Sequence, residues 1–283
     1  QQEPAIVGLD VIFDDKPAGD SCTSADDYLQ SVLAKMPTLV SASIIRYKNP
    51  ESQNPEIDKI VGSDLRFGLK DREGFSNIPG KPSEIVRYFK PRIEFNGKVY
   101  ESFAVKIASA VNRDIVEKQL PKECIENEVI NYRIKKFDII DASEVYQGSP
   151  ALGRLKGKIV LVGYLGANVN QFSLRDNYVT PMNRSFGGHT IPDTYGVHIH
   201  AQIISMLLNN RGIIELPFVV KWFLSFIICY LHLLLFLYLY RNHHGWFHLV
   251  SKTVQLISFI VILVLAIALI AGSARIKLEP ASL

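Results

Sequence analysis

Cysteine is scarce: Cys22, Cys124 and Cys229 are the only three in 283 residues. They show no C-x-x-C spacing and cannot make a four-ligand zinc site. Cys22 and Cys124 can pair in an oxidising compartment or remain two thiols, because a bridge needs Cα atoms within roughly 7 Å. Cys229 lies inside an apolar run and reads as a small apolar residue. An excess of one charge is also missing. The net charge is +3, from 31 Lys and Arg against 28 Asp and Glu, and the basic residues are scattered among the acids, which excludes nucleic acid as a partner. There is no internal repeat, no low-complexity tract and no G-x-S-x-G setting, and no cysteine has an inferable His partner, so nucleophilic catalysis has no support. Gly153-Arg154-Leu155-Lys156-Gly157-Lys158-Ile159 has the wrong glycine spacing for a phosphate loop and no Ser or Thr after its Lys. It also precedes a strand instead of following one. The sequence carries no catalytic constellation, no metal site and no need for a cofactor.

Long apolar runs are missing from residues 1–212 and present in the rest. Phe218 to Tyr240 supplies about 23 mostly apolar residues and Val254 to Ala271 about 18, near the length that crosses a hydrocarbon core. Trp222, Tyr230, Tyr238, Tyr240 and Trp246 fall mostly toward the ends, as interfacial aromatics do. The expected organisation is a folded domain over 1–212, a membrane helix over 217–240, a short cytoplasmic loop over 241–253 and a second membrane helix over 254–272. Residues 276–283 are read as the place where a further membrane helix would begin. Arg241 and Lys252 on one side, against Arg211, Lys221, Arg275 and Lys277 on the other, leave the positive-inside count undecided. Gln1-Gln2-Glu3-Pro4 has neither Met nor an export signal, so a segment upstream is expected. His232, His243, His244 and His248 gather around the loop without a nearby carboxylate, which suits a solvated interface better than a metal.

In the first 212 residues, Ala5 to Phe13 reads as a buried strand, with Asp10, Asp14 and Asp15 as acids at its end and turn rather than as a cation site. Ser24 starts a helix through Tyr28, Leu29, Val32 and Leu33, stopped at Pro37, and Thr38 to Ile45 makes a second strand. That strand-helix-strand favours an α/β layer arrangement. Tyr47 to Lys70 reads as a surface excursion, and Gly74-Phe75-Ser76-Asn77 restarts order. Asn96-Gly97, the strongest hairpin signal in the chain, brings antiparallel strands into the sheet, which makes it mixed. Phe103 to Val111 is a helix with Phe103, Ile107, Ala110 and Val111 on one side. Ile130 to Ile134 is a strand, and Asp141 to Tyr146 a helical turn.

The closing segment matters most. Gly157 to Gly163 is a short β-branched run that reads as a fully buried strand, and Gly163-Tyr164-Leu165-Gly166 as its end turn. An Asn-rich crossing through Asn168, Asn170, Asp176 and Asn177 leads to Thr180-Pro181. Val197 to Leu208 is then a helix whose apolar side, Ile199, Ile203 and Leu207, is expected to pack on Ile159 to Val162. His198 and His200 point roughly 200° apart on that helix and cannot grip one metal. Asn209-Asn210-Arg211-Gly212 is a helix stop and Pro217 suits a new first turn, so the backbone should break between them. Ile199, Ile203, Leu207, Gly212 and Pro217 are the signal-transmission candidates.

Ile6-Val7-Gly8-Leu9-Asp10-Val11-Ile12-Phe13, Gly74-Phe75-Ser76-Asn77, Ile130-Asn131-Tyr132-Arg133, Gly157-Lys158-Ile159-Val160-Leu161-Val162-Gly163, Thr180-Pro181 and Gly196-Val197-His198-Ile199-His200-Ala201, in this order and spacing, resemble the second class of CHASE domain. That is the extracytoplasmic sensory module associated with bacterial cyclases and histidine kinases. The resemblance implies a mixed-sheet α/β sensor domain outside the cell membrane, followed by transmembrane helices that lead to a cytoplasmic output domain. It implies no enzyme in this stretch and defines no ligand-binding residues. The expected partners are the lipid bilayer and an unidentified extracytoplasmic ligand, with a homodimer as one arrangement open to the chain. An envelope protein that uses the same domain for docking is the alternative.

Overall fold

The computed structural model describes residues 4–13, 23–49, 52, 55–80, 84–121, 125–133, 137–166, 175–183, 191–215, 218–242, 244–271 and 276–277. Expectations that concern Cys22, Cys124, Asp14, Asp15, His243 and Pro217 lie outside these residues. The chain divides into two units, 1–212 and 213–283.

Ile6-Val7-Gly8-Leu9 carries an apolar side chain at every position that has one, the pattern of a strand covered on both faces, and it forms β1 (Ile6–Leu9). After α1 (Thr23–Ala34) the chain returns as β2 (Leu39–Tyr47), parallel to β1. The stretch expected as a surface excursion instead supplies β3 (Ile57–Val61), antiparallel to β2 across a bulge at Arg46/Tyr47. It also sends Phe67 and Leu69 into the core. Ile57, Ile60 and Val61 are interrupted by Asp58 and Lys59, so the alternation that marks a strand is broken there. β4 (Glu73–Phe75) then runs parallel to β2.

Three short strands follow, β5 (Tyr88–Phe89) and the hairpin of β6 (Arg92–Phe95) and β7 (Lys98–Glu101). Asn96 and Gly97 take φ of 52° and 71°, the left-handed pair that a two-residue hairpin turn requires. The hairpin is its own two-stranded sheet, with β7 leading into an isolated bridge between Ser102 and Phe75. The main sheet is mixed because of β3, and not because of this hairpin. Ser102 caps α2 (Phe103–Val111), accepting from the Val105 N–H. Phe103 to Ala108 is buried almost all round, whereas Ala110 and Val111, expected on the inner side, are exposed. Asn112 caps a further helix, α3 (Arg113–Gln119), whose polar sequence gave no apolar stripe to read. The strand expected over Ile130 to Ile134 lies earlier, as β8 (Glu128–Val129), paired with β5. α4 (Ala142–Tyr146) is the helical turn read from the sequence, and Asp141 caps it.

β9 (Ile159–Val162) pairs with β1 and closes the order β3-β2-β1-β9. It was expected to be fully buried. As the last strand it is half-buried, with Val162 46 % exposed. β10 (Asn177–Tyr178) and β11 (Thr194–Tyr195) form an antiparallel clip before α5 (Gly196–Leu208). One face of the sheet, through Ile6, Val40 and Ala42, meets Phe103, Ile107, Val116, Ile199, Ile203 and Leu207. The other, through Val7 and Leu39, meets Leu33, Phe67 and Leu69. The result is three layers, helix on sheet on helix, a form of the α/β layer arrangement expected from the sequence. Ile199, Ile203 and Leu207 are deeply buried, but α5 lies mainly against α2 and α3, and β9 is the lesser neighbour. Two amides tie it down. Gln202 bonds both backbone groups of Arg133, and Gln119 donates to the Leu207 carbonyl at 2.6 Å while accepting from Gly212 N–H at 3.1 Å.

Residues 213–283 comprise β12 (Ile214–Glu215), α6 (Phe218–Asn242), α7 (Phe247–Ala271) and β13 (Ile276–Lys277), with β12 and β13 parallel. α6 and Phe247–Val264 have mean hydropathies of 2.2 and 1.9, and their most apolar windows bury nothing in protein. α7 begins at Phe247 and not near Val254. Thr253 Oγ1 satisfies itself on the Leu249 carbonyl, and Phe247 packs on Phe236 and Tyr240, so this polar stretch winds into the helix. The loop expected over 241–253 shrinks accordingly to the turn around His244–Trp246. Ile276–Lys277 are extended, and the rest of the stretch where a further helix was expected, 278–283, lies outside the described residues. Cys229 is an exposed free thiol on α6. His232, grouped by sequence with the loop, sits inside α6. Its Nδ1 lies 2.8 Å from the Ile228 carbonyl and so carries the proton, and Nε2 accepts from Ser258 Oγ of α7 at 3.0 Å. Replacing His232 by Leu and Ser258 by Ala, singly and together, should give a coupling of about 0.6–1.7 kcal/mol in the unfolding of the α6–α7 hairpin. The double-mutant cycle is measured by denaturation in micelles, and additive effects would show that the pair does not hold the two helices.

Candidate functional site at the carboxyl ends of the strands

β1 is a topological switch point. The chain leaves it for β2 on one side and comes back as β9 on the other, both parallel to it. In an open α/β sheet the crevice outside the carboxyl ends at such a point is where ligands are held. The residues that follow the strands there are Asp10 after β1, Ser76 after β4 and Gly163 after β9. Asp10 continues the ladder by donating its N–H to the Val162 carbonyl at 2.8 Å. Its Cβ lies so near Gly163 that a methyl there would meet it at 3.2 Å.

The β10–β11 clip brings a second carboxylate to the same end. Asp176, at φ 53°, accepts the Gly196 N–H on its backbone carbonyl at 3.0 Å. Its side chain lies against the first turn of α5, where a methyl on Gly196 would come within 2.9 Å of Oδ1. The clip is held from below by Asp193, whose Oδ1 accepts from the hydroxyls of Thr180 and Thr194. One turn into α5, His200 is 4 % exposed, sets its ring edge-on to Phe103 at 5.3 Å, and leaves Nδ1 without a hydrogen-bond partner. The Ser76 carbonyl faces the same ring, and the Ser76 hydroxyl donates to the Ser43 carbonyl at 3.4 Å. Tyr164, Tyr195, His198 and Phe137 form a chain of ring contacts, with the Arg175 guanidinium 5.7 Å over Tyr164.

Burial dominates the electrostatics. It pushes the Asp10 carboxyl up to about 6, against the opposing Ser76 hydrogen bond. It raises Asp176 as well, and the Asp10 charge adds to that, while His200, Tyr178 and Arg175 work the other way. Burial lowers His200 to about 4, despite Asp176 and the Ser76 carbonyl. Tyr178, beside Asp176, is raised to about 12 by burial and then by the two carboxylates. Acids pushed up and an imidazole pushed down keep the cluster short of charge, an arrangement suited to taking up a proton. Among the described residues no three His, Cys, Asp or Glu groups are placed to hold a metal.

Against this frame of strands and helices, the family model for the CHASE2 domain matches residues 1–240. The chain belongs to the CHASE2 domain family. No curated protein and no solved structure matches it. CHASE2 domains are sensor domains typical of signalling receptors, and the domain is sensory, not catalytic. The matched residues run through the α/β unit and most of α6, so this CHASE2 domain is described with the first helix that is long and apolar enough to cross a membrane.

Sequence reasoning reached part of the site. It placed His198 and His200 on different sides of a helix, and the structure puts His200 in the buried cluster and His198 in the ring chain outside it. It weighed Asp10 beside Asp14 and Asp15, whereas its partner is Asp176. Ser76, Asp176 and Tyr178 gave no signal, because each stands in a loop or a two-residue strand and meets the others only through the tertiary fold. Of the transmission candidates, Ile199, Ile203 and Leu207 share one core cluster, and Gly212 is fastened by Gln119.

The raised Asp10 pKa sets the sign of a pH effect. Between about 3.8 and 6 the folded chain holds a proton that the unfolded chain has lost, so Asp10 favours folding below that window and opposes it above. Asp10→Asn should therefore stabilise the domain by about 1–3 kcal/mol at pH 7.5 and by little at pH 4. Denaturation of the whole chain in micelles at both pH values checks this. His200 acts in the opposite sense and is common to both proteins, so it drops out of the difference.

Proposed function

We propose that this chain is the extracytoplasmic sensory input module of a bacterial transmembrane receptor. Residues 1–212 stand on the periplasmic or outer side of the inner (cell) membrane, and α6 and α7 cross it as a multi-pass anchor. A change at the carboxyl ends of the strands passes along α5 to the membrane helices and on to a cytoplasmic output domain. The chain is no enzyme by itself. Its partners are the lipid bilayer, an extracytoplasmic ligand and a second copy of the chain, and nucleic acid is not among them. The observation that carries the reading is the position of α5. Its N-terminus lies under the acidic cluster, its length is buried in the core, and its C-terminus is held by Gln119 through Leu207 and Gly212. With Gly212 fastened, residues 213–217 are the joint between the sensor and α6.

The placement is tested with a cysteine introduced at Asn96 in the hairpin turn and a membrane-impermeant thiol reagent. Intact spheroplasts are expected to label, and labelling only after lysis would put the domain on the wrong side. Transmission is tested by inserting two glycines after Gly212 in the full receptor. Folding and insertion, read by circular dichroism and membrane fractionation, are expected to persist while output loses its dependence on stimulus. An unchanged response would count against mechanical transmission and favour the use of the domain for docking.

A further inference from the structure

We propose that Gln255 marks the face of α7 on which a second copy of the chain is seated in the bilayer, the two glutamine amides bonding each other across a twofold axis along the membrane normal. The interface rests on the reading above that α6 and α7 cross the membrane.

Contacts between the two helices set their relative level. Phe247 packs on Phe236 and Tyr240, and Ser258 Oγ lies 3.0 Å from His232 Nε2. His232 stands roughly midway between Lys221 and Arg241, the charges that bracket the apolar run of α6. Gln255 comes one turn before Ser258, about 4.5 Å along the axis, so it is level with the inner part of α6 and not with its end. The side of α7 that carries Phe247, Ser251, Val254 and Ser258 is half-buried against α6. Gln255, Phe259 and Ile262 share the neighbouring side at helical spacing, and all three are exposed.

The polar side chains nearby are provided for. Ser251 and Thr253 bond the carbonyls of His248 and Leu249, and Ser258 is taken by His232. Lys252, nearer the turn, can carry its ammonium back to the interface on a four-carbon stem. The shorter Gln255 cannot, and among the described residues its amide has no hydrogen-bond partner. An amide facing hydrocarbon has no water to bond, so its partner has to come from another helix.

Chemistry and depth choose that helix. A glutamine amide offers one acceptor and one donor group, which makes it complementary to a second glutamine rotated by half a turn. A second copy inserted in the same orientation brings its own Gln255 to the same depth with no further requirement. An unrelated helix would need a polar residue placed there separately. Phe259 and Ile262, one and two turns beyond, supply the apolar packing, and a single polar pair in such a seam fixes the register of two parallel helices.

The test is resonance energy transfer between donor- and acceptor-labelled copies of the whole chain in phosphatidylcholine vesicles, followed as lipid is added. The unaltered chain is expected to dimerise, and Gln255→Leu to raise the dissociation constant about tenfold, the loss of interhelical hydrogen bonds of this kind. Gln255→Asn keeps an amide and should retain most of the dimer. Oxidative cross-linking then locates the face. Phe259→Cys and Ile262→Cys should add a disulfide-linked dimer to whatever the native thiols give, whereas Ile257→Cys and Val264→Cys, on the opposite side of α7, should add none. A dimer equally strong in Gln255→Leu, or cross-links that favour Ile257→Cys, overturns the interface. A chain that floats with the vesicles but stays monomeric overturns the interface alone, and one that fails to float overturns the membrane reading with it. A dimer weakened in Gln255→Leu, with full-receptor output still following its stimulus, supports the interface and counts against a second copy in the sensory reading.

Discussion

β1 is a four-residue strand with a parallel neighbour on each side, and its side chains alternate between two different helical layers. Ile6 faces α2 and α5, whereas Val7 faces α1 and the turn that carries Phe67. A strand so placed has no solvent face, so the rest of residues 1–212 must supply cover on both sides. That requirement explains why a stretch as polar as the one after Tyr47 still contributes Phe67 and Leu69. It also explains why α2 and α5 are buried nearly all round instead of along one stripe.

The same arrangement creates the site. Parallel strands end together, and the layers that cover their faces leave their carboxyl ends as the place where polar residues from distant parts of the chain can meet. Burying Asp10 and Asp176 there opposes folding at neutral pH and burying His200 opposes it in acid, since desolvation disfavours each charged form. Natural proteins keep such groups where function asks for them, and perturbed carboxyls in a crevice mark functional sites more often than chance. In this CHASE2 domain they stand at the start of the helix that leads out of the domain.

The second unit, 213–283, follows a different rule. α6 and α7 keep their backbone groups satisfied internally and present apolar side chains outward. Association between them relies on a few specific contacts: the His232–Ser258 hydrogen bond and the rings of Phe236, Tyr240 and Phe247 near the turn. A polar pair of this kind fixes how the two helices face each other without adding a large stabilisation.

The sequence by itself determined the elements whose signals are local. Apolar runs long enough to cross a membrane mark α6 and the core of α7. Asn96-Gly97 demands left-handed backbone and so a hairpin, and the burial of Ile199, Ile203 and Leu207 follows from their spacing on one helix. What it could not determine depends on partners far away in the chain. β9 is half-buried because, among the described residues, no strand lies beyond it, and β3 joins the sheet because β2 is long enough to receive it. α5 rests on α2 and α3 because they already occupy the face that β9 shares. Ser76, Asp176, Tyr178 and His200 are ordinary residues in their own segments. Only the tertiary structure makes them neighbours of Asp10, because desolvation and Coulomb interaction depend on what surrounds a group in space and not on what precedes it in sequence.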